Sequence, residues 1–412
     1  MRVCIHRGAR EVGGNCVELE ASGKRLMIDI GRPLDAPASF RAELPGITGA
    51  ASDALVGVVL SHPHQDHYGL VEQLEPSVPI YIGAAAAAIL DAAAFFAPSG
   101  VRLRPAGFLE DRVPVRIGPF VVTPFLVDHS AFDSYALLVE ADDRCLFYSG
   151  DFRAHGRKKS IVDRLRKRPP HSVDVLLLEG THVRARGWAP TGMDESEVEM
   201  AMANIFRETR GLVNIFSAAQ NIDRLVTIYR ACKRAERTLV IDLYTATIAA
   251  ATARETIPQP GFPHLRVYVP NRQRIRVKDS AEFNRIERIR PYRVFLDEIR
   301  TEPDRFVMAV QGSTLSEIAQ ADCLKDAAAI WSLWAGYLTQ PSGASVARLL
   351  EKHGVPITHL HASGHAAIED LQALAAAFAP ARVVPIHTDA PERFAELFEN
   401  VEQHRDGEWW VA

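Results

Sequence analysis

The segment His62-Pro63-His64-Gln65-Asp66-His67 places three imidazoles and a carboxylate within six residues. Neutral imidazole and carboxylate are ligands suited to zinc, and four of them exceed what one catalytic zinc needs from a single segment. The economical explanation is two metal ions sharing the segment. Further polar residues stand wherever an apolar run stops: Asp29 after Met27-Ile28, His129 after Val127-Asp128, Asp151 after Phe147-Tyr148-Ser149-Gly150, and His387 after Val383-Val384-Pro385-Ile386. Taken singly, an Asp or His at a strand end is commonly a turn residue. Five such sites in order, with the dense segment among them, are hard to assign to chance. Metal binding lowers a water's pKa from about 15.7 to about 7 in favourable cases. Two ions roughly 3.5–4 Å apart can also clamp the attacked oxygens. Such a site would hydrolyse an ester, amide, thioester or phosphodiester, and the ligand types leave that choice open.

The elements that must position these groups are short and β-rich. Residues 2–5, 16–20, 25–30, 55–60, 80–82, 121–124, 134–140, 144–148 and 173–178 read as strands bounded by Gly, Ser and Pro. The run 55–60 should end in a loop that turns the clustered ligands toward one point. Residues 84–97 are alanine-rich and predict a helix. After Glu179 the texture changes to helix, strand, helix, strand. Helices are expected at 194–209 and 221–234 and strands at 212–216, 238–243, 307–310 and 328–333. This alternation points to an α/β layer with parallel strands. A basic helix is expected around 281–289, closing helices at 345–353 and 368–378, and a last buried strand at 382–386.

The 412 residues exceed a comfortable single core, so two domains are expected. Apolar content of 47% and charged content of 24% are ordinary for a soluble globular protein. The net charge of −4 does not announce a nucleic-acid binder, but the balance is uneven. Residues 153–168 hold eight Lys/Arg against Asp163, and residues 264–293 hold nine against Asp279, Glu282 and Glu287. Such patches can bind polyanions. The five cysteines (Cys4, Cys16, Cys145, Cys232, Cys323) are scattered without CxxC spacing, which predicts a reducing, cytoplasmic setting. No membrane association is expected: the N-terminus lacks a signal-peptide core, and the apolar run 84–97 is too short to span a bilayer. Tryptophans 188, 331, 334, 409 and 410 could stack on bases. The run Trp331-Ser332-Leu333-Trp334, however, reads as core.

In this ordered ligand set the chain resembles the metallo-β-lactamase superfamily. The resemblance implies one zinc held by His62, His64 and His129. It implies a second held by Asp66, His67 and His387, with Asp151 bridging. Asp29 is similar to the family's acid that orients a ligand without binding metal. Manganese or iron could use the same donors.

Residues 151 and 387 stand 387 − 151 = 236 positions apart, enough for an inserted domain. This organisation resembles the β-CASP nucleases. Leu176-Leu177-Leu178-Glu179-Gly180-Thr181 looks like their motif A, His361-Ala362-Ser363-Gly364-His365-Ala366 like motif B, and Pro385-Ile386-His387 like motif C. The opening His6-Arg7-Gly8-Ala9-Arg10-Glu11-Val12-Gly13-Gly14-Asn15 and the stretch from Ile215 to Leu225 are similar to ribonuclease J. The resemblance implies that His365 protonates the leaving alkoxide and that Glu179 positions it. It also counts Asp66 as catalytic and gives His361, Ser363 and Ser217 to a substrate phosphate. Two departures stand out. His387 is followed by Thr388-Asp389 where ribonuclease J usually has Gly-Glu, and the sequence is read without that family's extra C-terminal domain.

The expected fold is therefore mixed α/β. An αββα metallo-β-lactamase sandwich (residues 1–182 and 355–412) would carry an inserted α/β β-CASP domain (residues 183–354). The expected function is zinc-dependent cleavage of single-stranded RNA by a cytoplasmic enzyme holding two Zn²⁺ (or Mn²⁺), with a homodimer allowed. The alternatives are a DNA-processing β-CASP nuclease and a small-molecule hydrolase of the metallo-β-lactamase fold.

Overall fold

A computed structural model describes residues 1–37, 39–44, 46–48, 52–97, 100–185 and 192–412. Trp188 lies outside the described residues. The chain divides into two compact units. One consists of Met1–Asp91, Val101–Thr191 and Gly364–Ala412, the other of Ala92–Gly100 and Gly192–Ser363. The breaks near 191 and 363 each fall nine residues beyond those expected from sequence, and the short segment Ala92–Gly100 joins the second unit.

The first unit stacks two sheets. Its strands in chain order are β1 (Arg2–Arg7), β2 (Cys16–Ala21), β3 (Lys24–Ile28), β4 (Leu55–Val59), β5 (Ile80–Gly83), β6 (Gly107–Leu109), β7 (Val115–Ile117), β8 (Phe120–Leu126), β9 (Tyr135–Ala141), β10 (Arg144–Tyr148) and β11 (Val175–Glu179). Those of the second unit are β12 (Val213–Phe216), β13 (Thr238–Asp242), β14 (Leu265–Tyr268), β15 (Phe306–Ala309), β16 (Ala328–Trp331) and β17 (Ile357–His359). The first unit is completed by β18 (Arg382–Ile386) and β19 (Trp409–Val411).

One sheet of the first unit runs β19-β1-β2-β3-β4-β5-β6 and the other β18-β11-β10-β9-β8-β7. Alternating side chains of both sheets, such as Val17, Leu19 and Ile28 from one and Val122, Leu137 and Leu146 from the other, fill a shared core. The outer face of the second sheet is covered by helices Lys159–Lys167 and Ile368–Phe378, whose Val162, Leu165, Leu371 and Leu374 pack there. Helix Ala84–Ala94 covers the other sheet through Ala86 and Leu90. The result is the αββα sandwich.

The second unit is a single sheet in the order β14-β13-β15-β12-β16-β17, parallel throughout. Both its faces are buried under helices, in two separate clusters, which is why its strands read as continuous apolar runs. Helix Glu195–Glu208 opens with a complete capping box: Asp194 accepts from the Glu197 amide, and the Glu197 side chain accepts from the Asp194 amide.

Several sequence expectations shift. Asp66 and His67 sit on a one-turn helix, Gln65–Tyr68, so only His62 and His64 occupy the loop. The basic helix expected around 281–289 starts only at Asn284 (Asn284–Ile289), and a separate helix, Asn271–Ser280, precedes it and ends where Ala281 adopts φ +57. The strand expected at 328–333 stops at Trp331. The closing helix begins at Pro341, whose ring suits a first turn, rather than at 345. Among the described residues no helix is long and apolar enough to cross a membrane.

Candidate metal centre

The strand ends of the first unit bring the predicted polar residues together. His62, His64 and His129 offer ligand atoms within 4.8 Å of one another, as do Asp66, His67, Asp151 and His387. A third group, Asp151, Glu179 and His365, shares Asp151 with the second. His62, His67, His129, Asp151 and His387 are buried. Asp151 links the clusters: its Oδ2 lies 3.7 Å from His62 Nε2 and 3.2 Å from His67 Nε2.

The hydrogen bonds behind the rings decide which nitrogen faces inward. His67 Nδ1 donates to Asp29 Oδ2 at 2.7 Å, His387 Nδ1 to Asp151 Oδ1 at 2.5 Å and His129 Nδ1 to the Gly364 carbonyl at 2.5 Å. The Ser61 hydroxyl donates to Asp29 Oδ2 and so accepts from His62 Nδ1, at 3.0 Å. Each ring therefore carries its proton on Nδ1 and turns Nε2 toward the cluster. Of the inward atoms, His62 Nε2, His67 Nε2, His387 Nε2 and Asp151 Oδ2 are buried without a hydrogen-bond partner. Buried polar atoms are nearly always satisfied, and leaving one unmade costs about 1–3 kcal/mol. Four such atoms facing into the two neighbouring clusters fit cations that would satisfy them, and the nitrogen–oxygen donor set fits zinc-like ions.

Electrostatics support the same reading for three of the rings. Burial pushes the imidazoles of His62, His64 and His129 below their ordinary range, toward the neutral form that binds metal. Burial acts the same way on His67, but Asp151, Asp29 and Asp66 outweigh it and hold that ring up. Burial would raise Asp151, yet His387, His67 and His365 hold its carboxyl well below the usual range.

Asp29 is locked in place. Its Oδ1 accepts from the Ser61 amide at 2.7 Å, and its Oδ2 also accepts from the Tyr148 hydroxyl at 2.8 Å. Asp29 and His387 both have positive φ, +57 and +54, an uncommon conformation for residues other than glycine that clusters at functional sites.

His365 stands beside this centre, partly exposed. Its Nδ1 lies 3.3 Å from Glu179 Oε2 and 3.7 Å from Asp151 Oδ2. Burial pushes the ring's pKa down, but Glu179 and Asp151 outweigh it and raise it to about 9. Glu179, at the end of β11, also accepts from the amides of Phe152, Thr181 and Ala366, so it ties three loops together. Gly364 has no room for a side chain: a Cβ there would stand 2.6 Å from Ser130 Oγ. The remaining predicted residues, Ser217, His361 and Ser363, belong to the second unit. Ser217 follows β12, and His361 and Ser363 follow β17, all at the carboxyl ends of the parallel strands.

Sequence reading missed several residues. Thr181 Oγ1 lies 3.0 Å from His365 Nδ1, and His182 Nδ1 donates to the Ala366 carbonyl at 2.9 Å. Both lie within three residues of Glu179, and that nearness was their signal. Asp128 pairs with buried Arg153 (3.2 Å) and accepts from the Lys158 amide, fixing the loop after Asp151 behind His129. Nothing in the spacing of Asp128 and Arg153 announces that pair.

Residues 25–215 match a beta-lactamase superfamily domain, and residues 355–406 match a Zn-dependent metallo-hydrolase RNA specificity domain. The chain thus carries a metallo-β-lactamase domain together with an RNA specificity domain. It is similar to ribonuclease J of Helicobacter pylori, 23% identical over 92% of this chain and 55% of the relative. It is also similar to ribonuclease J of Mycoplasma genitalium, 23% identical over 92% of this chain and 66% of that one. The Mycobacterium tuberculosis ribonuclease J is 28% identical over 56% of this chain and 42% of its own length. The chain thus spans about half the length of several curated relatives it matches. A crystal structure of a protein of unknown function from Enterococcus faecalis V583 superposes with a TM-score of 0.77 at 21% identity. That match covers 100% of this chain and 99% of the other.

Proposed function

We propose that this protein is a metal-dependent phosphodiester hydrolase acting on single-stranded RNA. The observation that carries the reading is the clustering of seven histidine and aspartate side chains, four of which turn unpartnered buried atoms inward, with a histidine–glutamate pair beside them. One ion would be held by His62, His64 and His129, and a second by Asp66, His67 and His387, with Asp151 shared. Zinc suits these donors, and manganese can use them too. When bound, such ions lower the pKa of water and polarise phosphate oxygens.

The chain's own residues supply the rest. Asp29 fixes the His67 ring. Asp66, the most exposed of its cluster, accepts a proton from the attacking water. His365 delivers a proton to the leaving 3′ oxygen, which an imidazolium held by Glu179 is suited to do. His361, Ser363 and Ser217 contact a substrate phosphate from the carboxyl ends of the second unit's strands. We take this parallel-sheet unit as the inserted β-CASP domain. RNA is preferred over DNA because the segment 355–406 matches an RNA specificity domain and the relatives are named ribonuclease J. Five separate cysteines fit a cytoplasmic setting.

The test is a cleavage assay on end-labelled single-stranded RNA bearing 5′-phosphate or 5′-hydroxyl, beside DNA of the same sequence. Zinc-loaded protein should cut RNA faster than DNA, and its product ladder gives the mode. Intact RNA beside cleaved DNA, or beside a cleaved small ester, would replace the reading with one of the alternatives.

A further inference from the structure

The turn after β16 holds two tryptophans of opposite fate. Trp331, the last residue of the strand, is buried, and its Nε1 donates to the Trp334 carbonyl at 3.3 Å. Trp334, three residues on and outside the strand, is 58% exposed. Its indole nevertheless has a seat. A Cβ on Gly336 would lie 2.2 Å from the indole Cη2, so the ring rests against a backbone that only glycine leaves open. Tyr337, 42% exposed, meets that ring edge-on with centroids 5.4 Å apart.

This aromatic pair is anchored to the strand ends that carry the proposed phosphate contacts. His359 Nε2 bonds the Leu333 carbonyl at 2.9 Å, and the His359 and His361 rings stack at 6.1 Å. The Ser332 amide donates to the Phe216 carbonyl at 2.9 Å, next to Ser217, while its hydroxyl donates to the Leu360 carbonyl at 2.6 Å. Buried Arg224 donates to the Ser332 carbonyl at 3.1 Å and to the Ala362 carbonyl at 3.5 Å. One hydrogen-bonded frame therefore holds the exposed indole, Ser217 and the His361–Ser363 loop together. They lie at the carboxyl edge of a parallel sheet, where open α/β sheets take their ligands.

We propose that Trp334, with Tyr337 beside it, is a stacking platform for one unpaired nucleobase of the substrate strand, next to the phosphate held by His361 and Ser363. This rests on the ribonuclease reading above. A flat, pre-seated ring loses little conformational freedom on binding, and every base offers it a π-face, so the contact would favour single strands without selecting a sequence.

The experiment uses the full chain with His365→Ala, so that the strand survives. It measures affinity for RNA oligomers each missing one base, with Trp334 intact, as Trp334→Ala and as Trp334→Phe. Losing the base at one position should weaken binding by the intact form about tenfold, and Trp334→Ala should do the same on the complete oligomer. The two losses together should cost no more than either alone, and Trp334→Phe should keep most of the affinity. Trp334→Ala binding every oligomer as tightly as the intact form does, or losses that add at all positions, would overturn the platform. So would a Trp334→Ala protein that binds RNA normally but falls from dimer to monomer, which would make this face a contact between copies. If the intact form binds no RNA at all, the ribonuclease reading itself fails, a result distinct from these.

Discussion

The two units bury polar groups in opposite ways. In the second, Arg224 is fully buried, yet it donates to Glu195, Ser332 and Ala362 while Thr227 donates to the same glutamate. In the first, three histidine Nε2 atoms and Asp151 Oδ2 are buried without a hydrogen-bond partner. A closed network fixes a shape. An open one, whose backing hydrogen bonds are all made while its front is not, is prepared for something the chain does not itself supply. An orphan alone does not suffice: Asn214 in β12 also has a buried, unpartnered amide, but it stands by itself. Convergence marks the site.

Breaking the open network should cost function before stability. Asp151→Ala removes the carboxylate shared between the clusters. It should abolish RNA cleavage and lower bound metal, read by elemental analysis, while the second unit keeps its fold. Asp29→Ala leaves every proposed ligand in place but frees the His67 ring. Loss of such a backing partner typically costs 10–100-fold in metal affinity or activity, to be read by titration against a competing chelator. Unchanged affinity would show that Asp29 merely fills space.

Breaking the closed network should do the reverse. Arg224→Met takes away the guanidinium that neutralises buried Glu195, at a cost of about 3–5 kcal/mol in denaturant unfolding, with metal content unchanged. Metal loss there would contradict the division between the units. The smallest effect comes from a closed network inside the first unit. Burial raises the Glu18 carboxyl, but hydrogen bonds to His6 and Arg25 outweigh it and hold it below the usual range. A depressed carboxyl contributes stability above its unfolded value of about 4.3, lost as pH falls through the folded value. Glu18→Gln should therefore flatten the acid limb of a stability–pH curve and leave the neutral metal content alone.

Much of the centre was legible because metal ligation repeats a simple device, a polar residue where an apolar strand stops. His62, His64, His129, Asp151 and His387 obey it. Asp66 and His67 do not, because a one-turn helix too short to show periodicity carries them. The inserted parallel sheet was legible from continuous apolar runs such as Val307 to Val310, but short edge strands such as β6, β17 and β19 carry too few residues for a pattern. The fate of Trp334 was hidden for a related reason. The run 328–334 looks apolar but for Ser332, and only the end of pairing at Trp331 puts the second ring outside. Pairs distant in sequence, such as Asp128 with Arg153 or His182 with the Ala366 carbonyl, leave no local trace.

The central claim is that seven side chains hold the ions and a separate histidine moves the proton. Metal content and RNA cleavage measured together on His365→Ala test it most directly. The account predicts wild-type metal content with cleavage reduced roughly 10²–10⁴-fold, the range of general acid catalysis. Cleavage at the wild-type rate, or loss of metal along with activity, would contradict it.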